Sequence, residues 1–173
     1  MSALRHNLEL KARHADLRAA RAAAIRLGAR PHAVEKQTDT FFHVSRGRLK
    51  LREIERQAAA LIAYDRPDHV DARLSAYHLV PILDPAALKA ALAAALGVRG
   101  VVRKWREILL WHNVRIHLDT VDGLGTFVEF EAVLGPNDDE VTAQQRLAEL
   151  SGALEIEAAA YVGPSYANLL GLV

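Results

Sequence analysis

Residues 101–132, VVRKWREILLWHNVRIHLDTVDGLGTFVEFEA, place charged side chains on alternate positions in three successive strand-like runs. Side chains two apart in a strand share a face. Lys104 with Arg106, Arg115 with His117 and Asp119, and Glu129 with Glu131 therefore each form a one-sided polar row. The first row is cationic, the second mixed and the third anionic. Asn113 and the stretch Gly123-Leu124-Gly125 supply turn residues that fold the three runs into an antiparallel meander. A single polar row is ordinarily a solvated face. Three in sequence point to a lined surface.

The rest of the chain repeats the pattern. Near the start, His6-Asn7-Leu8-Glu9-Leu10-Lys11 alternates, which reads as a strand with Asn7, Glu9 and Lys11 on one face. Asp16 is placed to cap a helix whose Leu17, Ala20, Ala24 and Leu27 recur at helical spacing, with Gly28 as its stop. After a loop at Pro31, residues 36–52 read as a hairpin turning at Ser45-Arg46-Gly47, with Lys50 and Arg52 sharing a face. The run 60–65 is apolar; Arg66 shares a face with Tyr64 and Ile62, and Pro67 stops its pairing. Residues 73–80 form a partner strand. Asp84-Pro85 opens a helix with a Leu88, Leu92 and Leu96 stripe, closed by Gly97. A third long helix starts at residues 137–139, with Ala143, Leu147, Leu150 and Leu154 on one face, and a short turn at 164–170 ends the chain.

Composition narrows the setting. The 173 residues and 19.0 kDa fit one domain, 1–173, with enough chain to bury a core. A formal net charge of +1 gives no global pull toward nucleic acid or an anionic membrane, so any anion site is local. The absence of cysteine excludes disulfides and thiolate metal ligands. The first residues lack the apolar core of a signal peptide, and no run approaches the roughly 20 apolar residues of a membrane helix, so the expected location is cytoplasmic.

Strand, helix, four strands, helix, three strands, helix argues an α+β domain whose mainly antiparallel sheet has enough strands to close into a barrel. Its polar rows hold both signs in near balance. Cations on one wall and carboxylates on another suit a polyanion with its metal, since phosphate oxygens take Arg and Lys while Mg2+ or Mn2+ takes carboxylate and phosphate oxygens.

Those same residues carry a resemblance. Asn7-Leu8-Glu9-Leu10-Lys11 resembles the E-x-E-x-K strand of the CYTH superfamily, the triphosphate tunnel metalloenzymes, which include class IV adenylyl cyclases, thiamine triphosphatases and tripolyphosphatases. Thr38-Asp39-Thr40-Phe41-Phe42 with Gly47-Arg48-Leu49-Lys50-Leu51-Arg52 is similar to the family's D-T-Y-F and G-x-L-K-L-R segment, and residues 61–67 to its L-I-x-Y-x-R-P strand. Lys104-Trp105-Arg106, Arg115-Ile116-His117-Leu118-Asp119 and residues 124–131 resemble K-x-R, R-x-x-L-D and L-G-x-F-x-E-x-E. Ser165-Tyr166-Ala167-Asn168-Leu169-Leu170 resembles the S-Y-x-x-L-L tail of the cyclase-like branch.

The resemblance implies an eight-stranded antiparallel barrel, open at both ends, with charged residues inside and helices outside. Glu9, Glu129 and Glu131 are then expected metal ligands for Mg2+ or Mn2+, with Asp119 an additional one. Lys11, Lys50, Arg52, Arg66, Lys104, Arg106 and Arg115 are expected to hold the triphosphate, with Lys11, Arg52 and Arg106 as the catalytic cations. The implied partner is a small triphosphate: ATP, thiamine triphosphate or tripolyphosphate. The leading expectation is cyclisation of ATP to cyclic AMP and pyrophosphate. Triphosphate hydrolysis, a non-catalytic polyphosphate-binding module, and an interaction domain with its polar rows in water are the alternatives. Oligomeric state stays open, a homodimer included. Asn7 departs from the pattern, putting a neutral amide where the family has a first carboxylate, which weakens a second metal site. His117 is given no role, and Trp105 and Trp111 are assigned to outward packing. Tyr64 and Tyr77 are left as contacts to a base or to nothing, and His43, His69, His78 and His112 show no metal-like spacing.

Overall fold

The computed structural model describes residues 4–66, 68–135 and 138–172. The expected strand stop at Pro67 and the Asn137 end of the third helix lie outside these. Eight strands, β1 (Arg5–Arg13), β2 (Arg30–Phe42), β3 (Arg48–Ile54), β4 (Ala59–Asp65), β5 (Arg73–Ile82), β6 (Val98–Trp111), β7 (Val114–Val121) and β8 (Gly125–Leu134), close into one antiparallel barrel. Around it the order is β1-β5-β4-β3-β2-β6-β7-β8, and β1 closes the ring by pairing with both β5 and β8.

Two hairpin meanders, β2–β5 and β6–β8, are joined by the long β2–β6 ladder. The turn after β2 depends on Gly47, whose φ is 62° and whose side any Cβ would place 2.9 Å from the Tyr64 carbonyl oxygen. β2 starts earlier than the sequence suggests: the expected loop at Pro31 is strand, accommodated by a register shift between Pro31 and Ala33. Proline lacks an N–H for the ladder, and a bulge is where a strand tolerates it.

Alternation sends Asn7, Glu9 and Lys11 inward and Leu8, Leu10 and Ala12 outward. The main apolar core therefore lies outside the barrel wall. Helices α1 (Leu17–Arg26) and α3 (Glu140–Ala153) press Ala20, Ala24, Leu147 and Leu150 onto Leu10, Ile116, Leu118 and Phe130. Each large apolar side chain buried this way contributes about 1.5–3 kcal/mol. Both helices start as the sequence suggests. Asp16 accepts from the backbone N–H of Arg18 and Ala19, and Asp139 from those of Val141 and Thr142. Trp111 packs outward as expected, donating its indole N–H to the Leu27 carbonyl, while Trp105 is half exposed beside Lys36.

Helix α2 (Pro85–Leu96) has its Asp84 cap, its Gly97 stop and a leucine stripe whose Leu88 and Leu92 are half-buried. No residue of α2 is buried, since the helix lies loosely over β2 and β3 with its alanine face in solvent.

One end of the barrel is filled, where an opening at both ends was expected. Phe41, Val102, Val121 and Phe127 point inward there and pack against Tyr166 and Ala167 of the short helix α4 (Tyr166–Leu169). A backbone bond from Val162 N–H to the Lys11 carbonyl and a side-chain bond from Asn168 Nδ2 to Asp68 Oδ2 pin this segment. Apolar side chains turned into a barrel end need an apolar partner, and the C-terminal segment supplies it.

These contacts generate a contrast in stability. Phe130→Ala, beneath α1 and α3, should cost about 3–5 kcal/mol in urea unfolding. Leu83→Ser, at a fully exposed position, should stay within about 0.5 kcal/mol of the parent.

Candidate functional site

Inside the barrel, open at the end opposite α4, lies a cavity of about 510 Å³ lined by inward residues of all eight strands. The expected cations Lys11, Lys50, Arg52, Arg66, Lys104, Arg106 and Arg115 all line it, as do Glu9, Glu129 and Glu131. Asp119 sits behind them in the wall, fully buried.

On one side Asp39 gathers three cations. Arg52 holds it with two bonds of 2.8 Å, Nε to Oδ1 and Nη2 to Oδ2, while Lys50 Nζ and Lys104 Nζ reach Oδ2 at 3.1 and 3.0 Å. Burial pushes the Asp39 carboxyl up, but Arg52, Lys104 and Lys50 outweigh it and hold it well below the ordinary carboxylate range. Lys104 meets the opposite result: burial lowers its ammonium to about 7 despite Asp39.

On the facing side Arg106 bridges two carboxylates. Its Nε and Nη2 reach Asp119 at 2.7 and 2.6 Å, and Nη2 also reaches Glu129 at 2.8 Å. Tyr166 donates its hydroxyl to Asp119 at 2.7 Å, so both Asp119 oxygens are committed. His117 stands 3.4 Å from Glu129 through Nδ1, a hydrogen-bonding position. Burial raises the Glu129 carboxyl, and the bond to His117 with the charges of Arg106 and Lys11 drives it well down.

The third cluster lies where β1 meets β8 and β5. Glu9 is cross-strand neighbour to Glu131, and Lys11 to Glu129. Arg66 reaches Glu9 at 3.0 Å, but burial and the charges of Glu129 and Glu131 still raise the Glu9 carboxyl. Lys11 donates to the Pro164 carbonyl at 2.7 Å and lies 4.4 Å from the centre of the Tyr166 ring; burial brings its ammonium to about 7. Asn7 donates to one Glu131 oxygen and accepts from the Tyr77 hydroxyl, while Arg115 takes the other Glu131 oxygen at 3.0 Å. Tyr64 also lines the cavity.

Sequence reasoning passed over Asp39, Arg73 and Tyr166 as site residues. Asp39 stands in the alternate row Glu35, Gln37, Asp39, a signal as legible as the rows in β6–β8. Arg73 is buried beside Glu9, with one nitrogen on the His69 carbonyl at 2.8 Å and Nε and Nη2 without partners. Tyr166 is marked only as part of the tail that resembles the family pattern; its place in the site depends on that tail folding back. Among the described residues, no three His, Asp or Glu side chains are gathered at ligand distance of one point. Glu9, Asp39, Asp119, Glu129 and Glu131 are each drawn to a cation.

Comparison with known proteins places this geometry. The CYTH domain family model matches residues 5–166. No curated protein matches the sequence. Among solved structures, the PH1012 protein of Pyrococcus horikoshii aligns with TM-score 0.82 at 21% identity, over 94% of this chain and 98% of that one. A putative adenylate cyclase from Vibrio parahaemolyticus aligns at 0.77 and 21% identity, covering 95% of this chain and 97% of that one. A putative adenylyl cyclase from Hippeastrum, described as having a dominant triphosphatase activity, aligns at 0.65 and 14% identity, over 97% and 94% of the two chains. At these identities the likeness is one of fold.

Asp39 is the most heavily paired anion of the cavity. Asp39→Asn leaves Lys50, Arg52 and Lys104 to repel one another and should cost about 3–5 kcal/mol in denaturant unfolding. Added tripolyphosphate should restore part of that loss. The parent's Asp39 contribution is fully present above the ordinary carboxylate range, begins to fade as pH falls through 3.8, and is gone only well below it.

Proposed function

Because this chain belongs to the CYTH family, we propose that its tunnel binds the triphosphate of a small organic substrate and turns it over with a divalent cation. The observation that carries this is the cavity itself, a single-mouthed barrel in which Lys and Arg face Glu9, Glu129 and Glu131. Cations and carboxylates hold one another there. A triphosphate offers the guanidinium and ammonium groups a denser anion, which frees the carboxylates for a metal.

The donor set fits such an ion. Glu9 and Glu131 oppose each other across the β1–β8 pair, an arrangement of like charges that costs stability until a cation offsets it. Carboxylate oxygens are the ligands Mg2+ and Mn2+ prefer. Glu9, Glu129 and Glu131 would hold the ion, and bound there it would neutralise phosphate charge and activate nucleophile or leaving group. Asp119, with both oxygens on Arg106 and Tyr166, acts in this reading by aiming Arg106 at the phosphates.

The protein's own part is positioning and charge. Lys50, Arg52 and Lys104 bind phosphate oxygens from one wall, and Lys11, Arg66 and Arg106 from the other; Arg73 adds unpartnered nitrogens near Glu9. The plug at α4 keeps bulk water from the deep end. Phosphoryl and nucleotidyl transfer gain most of their acceleration from such fixed charges. The leading reaction is attack of a ribose 3'-hydroxyl on the α-phosphorus of ATP, giving cyclic AMP and pyrophosphate. Asn7 favours a second reading, a tunnel that binds polyphosphate without turning it over, because a neutral amide there contributes no charge to a second ion.

Incubation with ATP, thiamine triphosphate and tripolyphosphate, each with Mg2+ or Mn2+, followed by product separation, decides between the reactions. Cyclic AMP is the expected product, orthophosphate alone establishes the hydrolase, and no turnover of any substrate overturns the enzymatic reading. Glu9→Gln should lower turnover by at least about a hundredfold.

A linkage follows from the lysines. With Lys11 and Lys104 at about 7 in the protein alone, bound phosphate raises both toward the ordinary 10.5. The complex then holds protons that the free protein lacks between those values, so binding takes up protons and weakens as pH rises through that window. Calorimetry of metal-free ATP at pH 8.5 in two buffers should show uptake of roughly one to two protons.

A further inference from the structure

Gln37 lies on β2 one inward position beyond Asp39, on the side away from the α4 plug, and is 2% exposed. Its amide nitrogen donates to a carboxylate oxygen of Glu35. That bond fixes the orientation of the amide, because a carboxylate only accepts. The carbonyl end, Oε1, is buried on the cavity wall with no hydrogen-bond partner. Native proteins rarely leave a buried acceptor unsatisfied.

None of the neighbouring cations bonds it. Lys104 and Arg52 are on Asp39, and Arg106 is on Asp119 and Glu129. A triphosphate cannot supply the missing donor, since its ionised oxygens accept only, and Glu35 beside Gln37 repels it. On β3, β4 and β5 the wall toward the open end changes character at the same level: Ile54, Ala60, Leu79 and Pro81 continue inward the faces that carry Arg52, Tyr64 and Tyr77 deeper in the barrel, while Arg5, Glu35 and Arg115 keep the rest of the rim charged. An apolar wall with one unsatisfied acceptor is a poor seat for phosphate and a good one for a carbon framework bearing a donor.

We propose that the outer half of the cavity is a subsite for the organic group of the substrate, read by a hydrogen bond from one of its hydroxyl or amine groups to Gln37 Oε1. The cognate ligand is then an organic triphosphate, and inorganic tripolyphosphate fills only the cation-lined half. This rests on the triphosphate reading above.

The test measures metal-free binding of ATP, thiamine triphosphate and tripolyphosphate by calorimetry to the parent and to Gln37→Met, which keeps the length of the side chain and removes the acceptor. Gln37→Met should weaken at least one organic triphosphate about tenfold, the size of one neutral hydrogen bond, and leave tripolyphosphate within about twofold. Analogues each lacking one donor, 2'-deoxy-ATP, 3'-deoxy-ATP, purine riboside triphosphate and oxythiamine triphosphate, are run against the parent. One of them should show the same loss, identifying the group as hydroxyl or amine, and Gln37→Met should add nothing to it. These parent measurements stand even where the variant does not fold: if every analogue binds as well as its full counterpart, the subsite is overturned. Equal weakening of all three ligands, or of none, overturns it as well while leaving the triphosphate reading in place. Absence of tripolyphosphate binding to the parent removes both.

Discussion

Charge inside a closed barrel must be balanced within the barrel. Removing an ion from water costs several kcal/mol unless an opposite charge with good geometry stands beside it. This chain satisfies that demand by interleaving signs across neighbouring strands: Asp39 with Arg52 and Lys104, Asp119 and Glu129 with Arg106, Glu9 with Arg66, Glu131 with Arg115. The pairings are set by strand register, so the order of strands around the ring is itself part of the electrostatic design. Arg106 and Asp119 are cross-strand partners between β6 and β7, and Asp39 and Arg52 between β2 and β3. A slip of one residue in either ladder would turn a balanced interior into buried unpaired charge and expose the apolar outer face to water.

Balance is not complete, and the residue is informative. Glu9 keeps a raised proton affinity because burial and two further carboxylates overcome Arg66, while Lys11 and Lys104 lose theirs because burial overcomes their partners. The interior is stable enough to fold and still gains from a polyanion and a cation together. Buried arginine nitrogens on Arg66 and Arg73 that meet no acceptor belong to the same pattern. Binding sites store such unmet demand where cores do not.

Much of this was legible in residue order. Alternation alone gave the inward rows of β1, β7 and β8, because a two-residue period admits only two faces and the other was mainly apolar. The capping aspartates at 16, 84 and 139 fixed helix starts through local hydrogen bonds. What escaped depends on contacts distant in sequence. The α4 plug arises because Tyr166 meets Phe127 and Asp119, and no local pattern encodes that encounter. Pro31 reads as a loop in sequence yet lies in strand, because a bulge that tolerates proline is a property of the β2–β6 pair, not of β2. Asp39 is a different case: its alternate row Glu35, Gln37, Asp39 is legible, but only the fold shows that this one anion holds three cations together. The leucines of α2 keep helical spacing, but spacing cannot say whether a partner surface is there to receive them.

The apolar core is also unevenly distributed. It backs β1, β6, β7 and β8, where α1 and α3 lie, whereas the outer faces of β4 and β5 are largely bare, with Leu74 41% and Val80 42% exposed. The same ring is therefore stiff on one arc and soft on the other. Backbone hydrogen bonds of β7 and β8 open only with the whole molecule, and those of β4 and β5 open in smaller, cheaper fluctuations, so amide exchange divides the barrel into a slow arc and a fast one. The slow arc carries Glu129, Glu131, Asp119 and Arg106. The fast arc carries Ala60, Leu79 and Pro81. The arc that holds Glu129, Glu131 and Asp119 is thus the one least able to change its spacing, and the arc that supplies the apolar part of the rim is the one that can widen.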